Sequence, residues 1–153
     1  MIELTQSREL TSSPQEIWAV LSDFAAISRW ASNVDHACLM SEQTSGRGMV
    51  RRIQSSRNVV IETVTTWQPE KTLAYTIEGL PPVIKSLTNT WTLKKITQGT
   101  KVTLITRIDA GPRPPQILIA KAVGKKMSQA AEQMLSGLVA ETNIEAPKEE
   151  HHG

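Results

Sequence analysis

Glu62 has the clearest capacity for chemistry in this chain, because it lies in an apolar run at residues 59–64 (VVIETV). If its carboxylate faces the protein interior, desolvation raises its pKa and lets it act as a general acid or base. If the carboxylate faces solvent, it pairs with a surface lysine or arginine and has no catalytic role. Both faces of a strand through this run carry apolar residues, so the direction of Glu62 stays open. We treat it as a weak candidate catalytic residue.

Three arginines raise the same question of direction. Arg107 lies in a segment rich in Thr and Ile, and its side chain could face either an interior or solvent. Arg51 and Arg52 are adjacent, so on a strand they must point to opposite faces, and one of them could face a pocket. An arginine of this kind could pair with Glu62 inside the protein or at its rim. The sequence does not decide between these alternatives.

Several bulky side chains are candidates for contact with a ligand. Trp30 follows two predicted short helices that would close the mouth of a cavity, where a ligand could stack on its ring. The Tyr75 hydroxyl could bind a ligand oxygen or a backbone partner in the core. Trp91 could likewise contact a ligand or pack in the core. Met127 and Met134 lie seven residues apart on one helix face and could form an adaptable cavity wall or pack in the core. The candidate ligand-binding residues are Trp30, Tyr75, Trp91, Arg107, Met127 and Met134.

Histidine and cysteine spacing does not predict a metal site. His36 and Cys38 would lie on one strand face about 6.6 Å apart, from a rise of about 3.3 Å per residue, and no third group that would converge with them is evident. The same separation argues against a Cys–His nucleophile. The glycines at positions 46 and 48 do not precede a predicted helix, so no phosphate-binding loop is indicated. We predict neither a metal nor a cofactor.

Composition and charge narrow the class of protein. The 153 residues are 39% hydrophobic and 21% charged, which is typical of one globular domain. The net charge is +2 and the basic residues are scattered, which does not favour nucleic-acid binding. The single cysteine excludes an intrachain disulfide, and residues 1–10 contain no apolar run typical of a signal peptide or membrane anchor. We expect a cytoplasmic protein without stable membrane insertion, and homodimer formation is left open.

A long amphipathic helix is predicted at residues 116–141. Apolar residues recur there at spacings of three and four, and the opposite face is polar. Prolines at positions 112, 114 and 115 precede or open the first turn, where a missing amide proton costs least. The predicted buried stripe consists of Ile117, Ile119, Ala120, Val123, Met127, Ala130, Ala131, Met134, Leu135 and Leu138.

Most of the chain before this helix is predicted to form strands. A first strand lies within residues 2–11, and Ser13 with Pro14 and Glu16 indicates the capped start of a short helix. A second short helix or turn follows at residues 25–31. Beyond it, Thr, Val and Ile are dense in segments separated by short turns. The further strands are predicted at residues 35–41, 47–55, 58–68, 72–80, 86–97 and 100–109.

Together these elements predict an α+β fold with seven antiparallel strands. Short connections favour the pairing of neighbouring strands, and a sheet of this length should curl around the final helix. If one helix does not fill the concave side, the sheet and the two short helices enclose a cavity, where a function would reside. We predict a single domain at residues 1–144 and a disordered tail at residues 145–153.

Short motifs along the chain resemble those of a known family. They are residues 14–24 (PQEIWAVLSDF) followed by Trp30 and Val34, then Gly48 with residues 50–52 (VRR), and residues 73–77 (LAYTI), 79–81 (GLP), 91–93 (WTL) and 99–104 (GTKVTL). In this order they resemble the polyketide cyclase/dehydrase and lipid-transport family of the START-like, birch-pollen-allergen-like (SRPBCC) helix-grip superfamily.

The resemblance implies a seven-stranded antiparallel sheet wrapped around a long C-terminal helix, with two short helices between strands 1 and 2 and an apolar cavity. It implies no shared catalytic triad, because members of the family include cyclases, dehydratases and lipid or quinone carriers. Two positions depart from the family pattern. Residues 31–33 (ASN) replace a turn that often contains proline, and Leu104 stands where an aromatic residue is common.

Three functions remain open on the sequence. The leading hypothesis is binding of a hydrophobic or amphipathic small molecule, such as a lipid, a quinone or a polyketide-like compound, in the internal cavity. The alternative is a polyketide cyclase/dehydratase-like enzyme that uses Glu62, Tyr75 or Arg107 as an acid or base in that cavity. A third class is an interaction module that binds a partner through an exposed sheet edge.

Overall fold

The structure, a computed structural model, describes residues 1–145. Its elements are β1 (Ile2–Leu10), α1 (Pro14–Ser22), a 3₁₀ helix (Phe24–Arg29), β2 (His36–Leu39), β3 (Val50–Ser55), β4 (Asn58–Gln68), β5 (Thr72–Glu78), β6 (Ser86–Ile96), β7 (Gly99–Asp109) and α2 (Pro114–Glu145). The helix predicted at residues 116–141 is therefore longer at both ends. Apart from its first residue, the tail predicted at residues 145–153 lies outside the described residues.

All seven strands form one antiparallel sheet in the order β1-β7-β6-β5-β4-β3-β2. Strands β2 to β7 pair with their neighbours in sequence, as short connections require, and β1 pairs along its whole length with β7. The two short helices lie between β1 and β2, and the long helix follows the last strand. The predicted α+β helix-grip architecture is confirmed.

Alternation along the strands divides the sheet into an inner and an outer face. In β7 the side chains of Val102, Leu104, Thr106 and Ile108 are buried, whereas the residues between them are more exposed. This period of two is expected, because successive side chains of a strand point to opposite faces. The inner-face residues join α1, the 3₁₀ helix and α2 in a single hydrophobic core.

Local sequence determines where the short helices begin. The Ser13 hydroxyl accepts a hydrogen bond from the Glu16 amide at 3.1 Å, and the Glu16 carboxylate accepts one from the Ser13 amide at 2.9 Å. This capping box satisfies two backbone donors that a helix start otherwise leaves unpaired. The 3₁₀ helix follows directly and buries Phe24 and Ile27. Phe24 is thereby placed above the inner face of the sheet, where it contacts a buried arginine on β3.

The long helix α2 packs on the core over its central and later turns. The buried hydrophobic residues of these turns are Ala120, Ala131, Met134, Leu135 and Leu138. The first turns differ from the predicted stripe, because Ile117 and Ile119 are 37% and 40% exposed. They precede Ala120, the first core residue of α2, and extend beyond the core. No helix within residues 1–145 combines the length and apolar character needed to cross a membrane.

Two glycines of α2 provide a matched test of how closely this helix approaches its neighbours. A Cβ atom on Gly137 would lie 1.8 Å from the Trp30 carbonyl oxygen, whereas one on Gly124 would meet only side-chain methyl groups at 3.5–3.6 Å. Alanine favours a helix by about 0.8–1 kcal/mol over glycine. We therefore expect Gly124→Ala to be neutral or stabilising. We expect Gly137→Ala to destabilise the protein by about 2 kcal/mol or more, because the backbone must move.

Urea unfolding followed by circular dichroism measures both variants against the parent protein. Equal unfolding midpoints for Gly137→Ala and Gly124→Ala would contradict the close packing of α2 against the chain at Trp30.

Candidate ligand-binding cavity

A cavity of about 440 Å³ lies between the inner face of the sheet and α2. Strands β3, β4, β5 and β6 provide one wall, and α2 provides the opposite wall. The apolar side chains that line it include Ile53, Val60, Ile77, Val123, Met127 and Met134. Ligand pockets in proteins typically measure about 300–1,000 Å³ and have mainly apolar walls. Size and lining therefore match a site for a small organic molecule.

Most polar residues of the lining fall into two groups. Asn58, Lys126, Gln129 and Gln133 line the cavity and are exposed, so they mark its open side. Glu62, Tyr75 and Asn89 also line the cavity but are 5%, 1% and 2% exposed, so they lie at its inner end. A ligand would therefore meet a polar rim, an apolar passage and a small polar inner end.

Strand register explains why the inner polar groups lie together. Arg51 on β3 is directly opposite Glu62 on β4. Tyr75 on β5 is opposite Asn89 on β6, which is in turn opposite Thr106 on β7. Side chains at directly opposed positions of antiparallel strands share a face and can contact each other. The sheet therefore places two polar rows on its inner face, one across β3 and β4 and the other across β5, β6 and β7.

The first row is a buried ion pair. Arg51 Nε and Nη2 both approach Glu62 Oε1, at 2.7 and 2.6 Å, and Arg51 Nη1 donates to the Phe24 carbonyl oxygen at 2.8 Å. The guanidinium carbon also lies 3.5 Å from the Phe24 ring centre and 4.9 Å from that of Tyr75, so cation–π contacts add to the ion pair. Arg51 therefore links the 3₁₀ helix to three strands.

Glu62 has an unusual combination of properties for a carboxylate. Burial raises its pKa because it disfavours the charged form, and the charge and hydrogen bonds of Arg51 oppose this effect. Both contacts from Arg51 go to Oε1, and no residue in the described part of the chain donates a hydrogen bond to Oε2. Because Glu62 lines the cavity, the second carboxylate oxygen is available to a ligand.

The second row is a hydrogen-bonded chain. The Thr106 hydroxyl donates to Asn89 Oδ1 at 2.6 Å, and Asn89 Nδ2 donates to the Tyr75 hydroxyl oxygen at 3.5 Å. Trp91 Nε1 donates to the same Tyr75 oxygen at 3.2 Å. Burial is the main cause of a raised pKa for Tyr75, and the negative charge of Glu62 raises it further. Tyr75 therefore keeps its proton at neutral pH and remains a hydrogen-bond donor.

The structure brings together only some of the residues predicted to bind a ligand. Tyr75, Met127 and Met134 line the cavity, and so does Glu62. Trp30 and Trp91 do not line it. Both are buried in the core, where their rings pack edge to face at 6.2 Å.

Arg107 also requires correction as a candidate for the cavity. It alternates with the buried residues of β7 and therefore lies on the outer face of the sheet. There its Nε donates to Glu3 Oε2 at 2.8 Å, and both side chains are about half exposed. An arginine in this position pairs at the surface and does not reach the cavity.

Asn89 is absent from the candidates that the sequence suggests, and the direction of Arg51 is left open there. Asn89 was not singled out, although it alternates with the buried apolar residues Leu87 and Trp91 and must therefore face inward. From the sequence, either Arg51 or Arg52 could face the pocket. Only the strand register shows that Arg51 lies opposite Glu62. As for metals, residues 1–145 contain no group of three or more His, Cys, Asp or Glu side chains that could hold an ion.

Comparison with solved structures identifies proteins of the same fold. The StfQ di-domain ARO/CYC from the steffimycin biosynthetic pathway is 11% identical, with a TM-score of 0.79 over 95% of this chain and 51% of that chain. The Zhui aromatase/cyclase of Streptomyces sp. R1128 is 12% identical, with a TM-score of 0.76 over 93% of both chains. TTHA0849 of Thermus thermophilus is 19% identical, with a TM-score of 0.74 over 94% of this chain and 98% of that chain.

These similarities concern the fold, since all three identities are below 20%. The chain spans about half the length of the di-domain protein. No curated protein matches the sequence. The family model described as polyketide cyclase / dehydrase and lipid transport matches residues 1–142, which is nearly the whole chain. The chain therefore belongs to the polyketide cyclase / dehydrase and lipid transport family.

Proposed function

We propose that this protein binds a hydrophobic or amphipathic small molecule in the cavity between the sheet and α2. The observation that carries the proposal is the cavity itself, about 440 Å³ in volume, with mainly apolar walls and one side bordered by exposed polar residues. The ligand class is that of lipids, quinones and polyketide-like compounds. The one cysteine, Cys38, is free and exposed, which is consistent with binding in the reducing environment of the cytoplasm.

Affinity in such a site comes mainly from the apolar walls. Burial of apolar ligand surface contributes about 25 cal/mol per Å², so about 200 Å² would contribute ~5 kcal/mol before the costs of association. Polar groups then orient the ligand. Lys126 is the one positively charged residue among the described lining residues, and it lies at the exposed rim, where it can receive the polar end of an amphipathic molecule.

Two alanines of α2 provide a matched pair of sites for a bulky substitution, one in the cavity wall and one on the exposed surface. Ala130 lines the cavity, whereas Ala122 is exposed on the same helix. We expect Ala130→Trp to weaken binding of 1-anilinonaphthalene-8-sulfonate and of competing fatty acids, quinones and aromatic polyketides at least tenfold, because the indole occupies their volume. We expect Ala122→Trp to bind as the parent protein does. Dye fluorescence and its displacement measure both variants, and circular dichroism verifies their folding.

Two results would contradict the binding function. The first is that no compound of the panel displaces the dye or binds the parent protein. The second is that Ala130→Trp binds as tightly as Ala122→Trp, which would place the dye outside the cavity.

The alternative function, acid/base catalysis, is favoured by one specific observation. Glu62 lines the cavity, has a pKa raised by burial, and keeps one carboxylate oxygen without a hydrogen bond from any described residue. A carboxylate in this state can remove a proton from carbon next to a ligand carbonyl group. Two of the similar structures are an aromatase/cyclase and a di-domain ARO/CYC, which makes an enzymatic role on a carbonyl compound consistent with the family.

Proton exchange provides a direct test of this alternative. If Glu62 is a base, the protein should accelerate exchange of the α-protons of 2-tetralone in D₂O, followed by loss of their NMR signal. Glu62→Gln should lower that acceleration about 100-fold, since general bases contribute about 10²–10⁴-fold. The control is Glu78→Gln on β5, where the carboxylate is exposed. Exchange by Glu62→Gln at the parent rate, with dye binding retained, would exclude the catalytic role.

A further inference from the structure

The hydroxyl of Tyr75 carries a proton for which residues 1–145 provide no acceptor. A phenolic hydroxyl has one donor and two acceptor positions. Trp91 Nε1 and Asn89 Nδ2 both donate to the Tyr75 oxygen, at 3.2 and 3.5 Å, so its acceptor positions are used. Tyr75 is 1% exposed and lines the cavity. A group that occupies the cavity can therefore provide the acceptor for its proton.

The orientation of the Asn89 amide follows from a distance. Its contact with Thr106 Oγ1 is 2.6 Å, which is normal for O–H···O hydrogen bonds but shorter than the range of about 2.7–3.2 Å for N–H···O. The amide oxygen therefore faces Thr106 and accepts its proton. The amide nitrogen consequently faces Tyr75, where its 3.5 Å contact is at the outer limit of a hydrogen bond. An acceptor in the cavity can take over this weakly used donor.

The two donors are spaced for a single oxygen atom. Tyr75 Oη and Asn89 Nδ2 lie 3.5 Å apart, so one oxygen can lie about 2.8–2.9 Å from both of them. A carbonyl oxygen has two lone pairs and can accept both hydrogen bonds. We propose that Tyr75 and Asn89 form a two-donor site for one carbonyl oxygen of an otherwise apolar, uncharged ligand. This specificity rests on the proposed binding function of the cavity.

Charge in the inner end of the cavity favours a neutral ligand over an anionic one. Glu62 lines the same inner end, and its Oε2 carries no hydrogen bond from any described residue. A ligand carboxylate placed at Tyr75 and Asn89 would lie near this oxygen in a low-dielectric interior, where repulsion between like charges is strong. Arg51 offsets this repulsion only in part, because at Tyr75 the charge of Glu62, which raises the pKa of the hydroxyl, has a larger effect than the opposing charge of Arg51.

Three probes that share one ring system test the proposal. They are fluorenone, with one carbonyl oxygen, fluorene, with none, and fluorene-9-carboxylate, with an anion at the same position. Displacement of 1-anilinonaphthalene-8-sulfonate gives the Kd of each. We expect fluorenone to bind about tenfold more tightly than fluorene, since each hydrogen bond contributes about 0.5–1.5 kcal/mol net. We expect the carboxylate to bind more weakly than fluorene.

Variants identify the residues responsible for this preference. Tyr75→Phe and Asn89→Leu should each lower the ratio of the fluorene Kd to the fluorenone Kd severalfold, with little change in the fluorene Kd. Asn89→Leu retains the Tyr75 side chain and provides a second test if Tyr75→Phe fails to fold. Met127→Leu is the control, because it reshapes an apolar part of the wall and should change both Kd values together.

The outcomes separate this inference from the proposed function. If fluorene binds and fluorenone binds no more tightly, the two-donor site is overturned while the binding function stands. A preference that is undiminished in both Tyr75→Phe and Asn89→Leu also overturns it. If fluorene-9-carboxylate binds as tightly as fluorenone, the restriction to uncharged ligands is wrong. If none of the three probes binds in the cavity, the two-donor site is overturned, and the binding function then depends on the panel of fatty acids, quinones and aromatic polyketides.

Discussion

A single buried guanidinium connects the parts of the fold that enclose the cavity. Arg51 extends from β3, pairs with Glu62 on β4, donates to the Phe24 carbonyl oxygen of the 3₁₀ helix and lies over the rings of Phe24 and Tyr75. Burial of an ion pair is costly, and an apolar replacement of similar volume often gives equal or greater stability. The Arg51–Glu62 ion pair therefore contributes more to the positions of these elements than to the stability of the protein. It fixes the 3₁₀ helix above the sheet and orients a carboxylate toward the cavity.

The polar inner end of the cavity depends on cross-strand partners. A polar group on the inner face of a sheet is tolerated when a neighbour satisfies its hydrogen bonds, since an unpaired buried group costs about 1–3 kcal/mol. Arg51 with Glu62 satisfies this requirement in one row, and Tyr75 with Asn89 and Thr106 satisfies it in the next. In each row, nevertheless, one polar group lacks a hydrogen-bond partner among the described residues. Glu62 Oε2 accepts no hydrogen bond, and the Tyr75 hydroxyl donates none. In the proposed binding function, these atoms would give the apolar cavity its chemical selectivity.

The sequence predicts the scaffold of this protein better than its site, for a physical reason. Helix and strand periodicities are local, so α2, the capped start of α1 at Ser13 and the strands are all recognisable from neighbouring residues. The direction of Glu62 depends on its register with Arg51, a partner on another strand, and both faces of its own strand contain apolar residues. Arg107 could have been assigned to the outer face from the alternation in β7 alone.

The cavity exists because α2 is held close to its neighbours on either side of it. At Gly124 the helix lies beside the Leu4 and Ile108 side chains, and the missing side chain of Gly137 lets the helix contact the backbone at Trp30. Ala130, midway between the two glycines, lines the cavity with a side chain too short to fill it. A helix is stiff over four turns, so contacts at both ends prevent its middle from moving onto the sheet. The volume of the cavity thus depends on helix contacts outside it as well as on the short side chain of Ala130 in its wall.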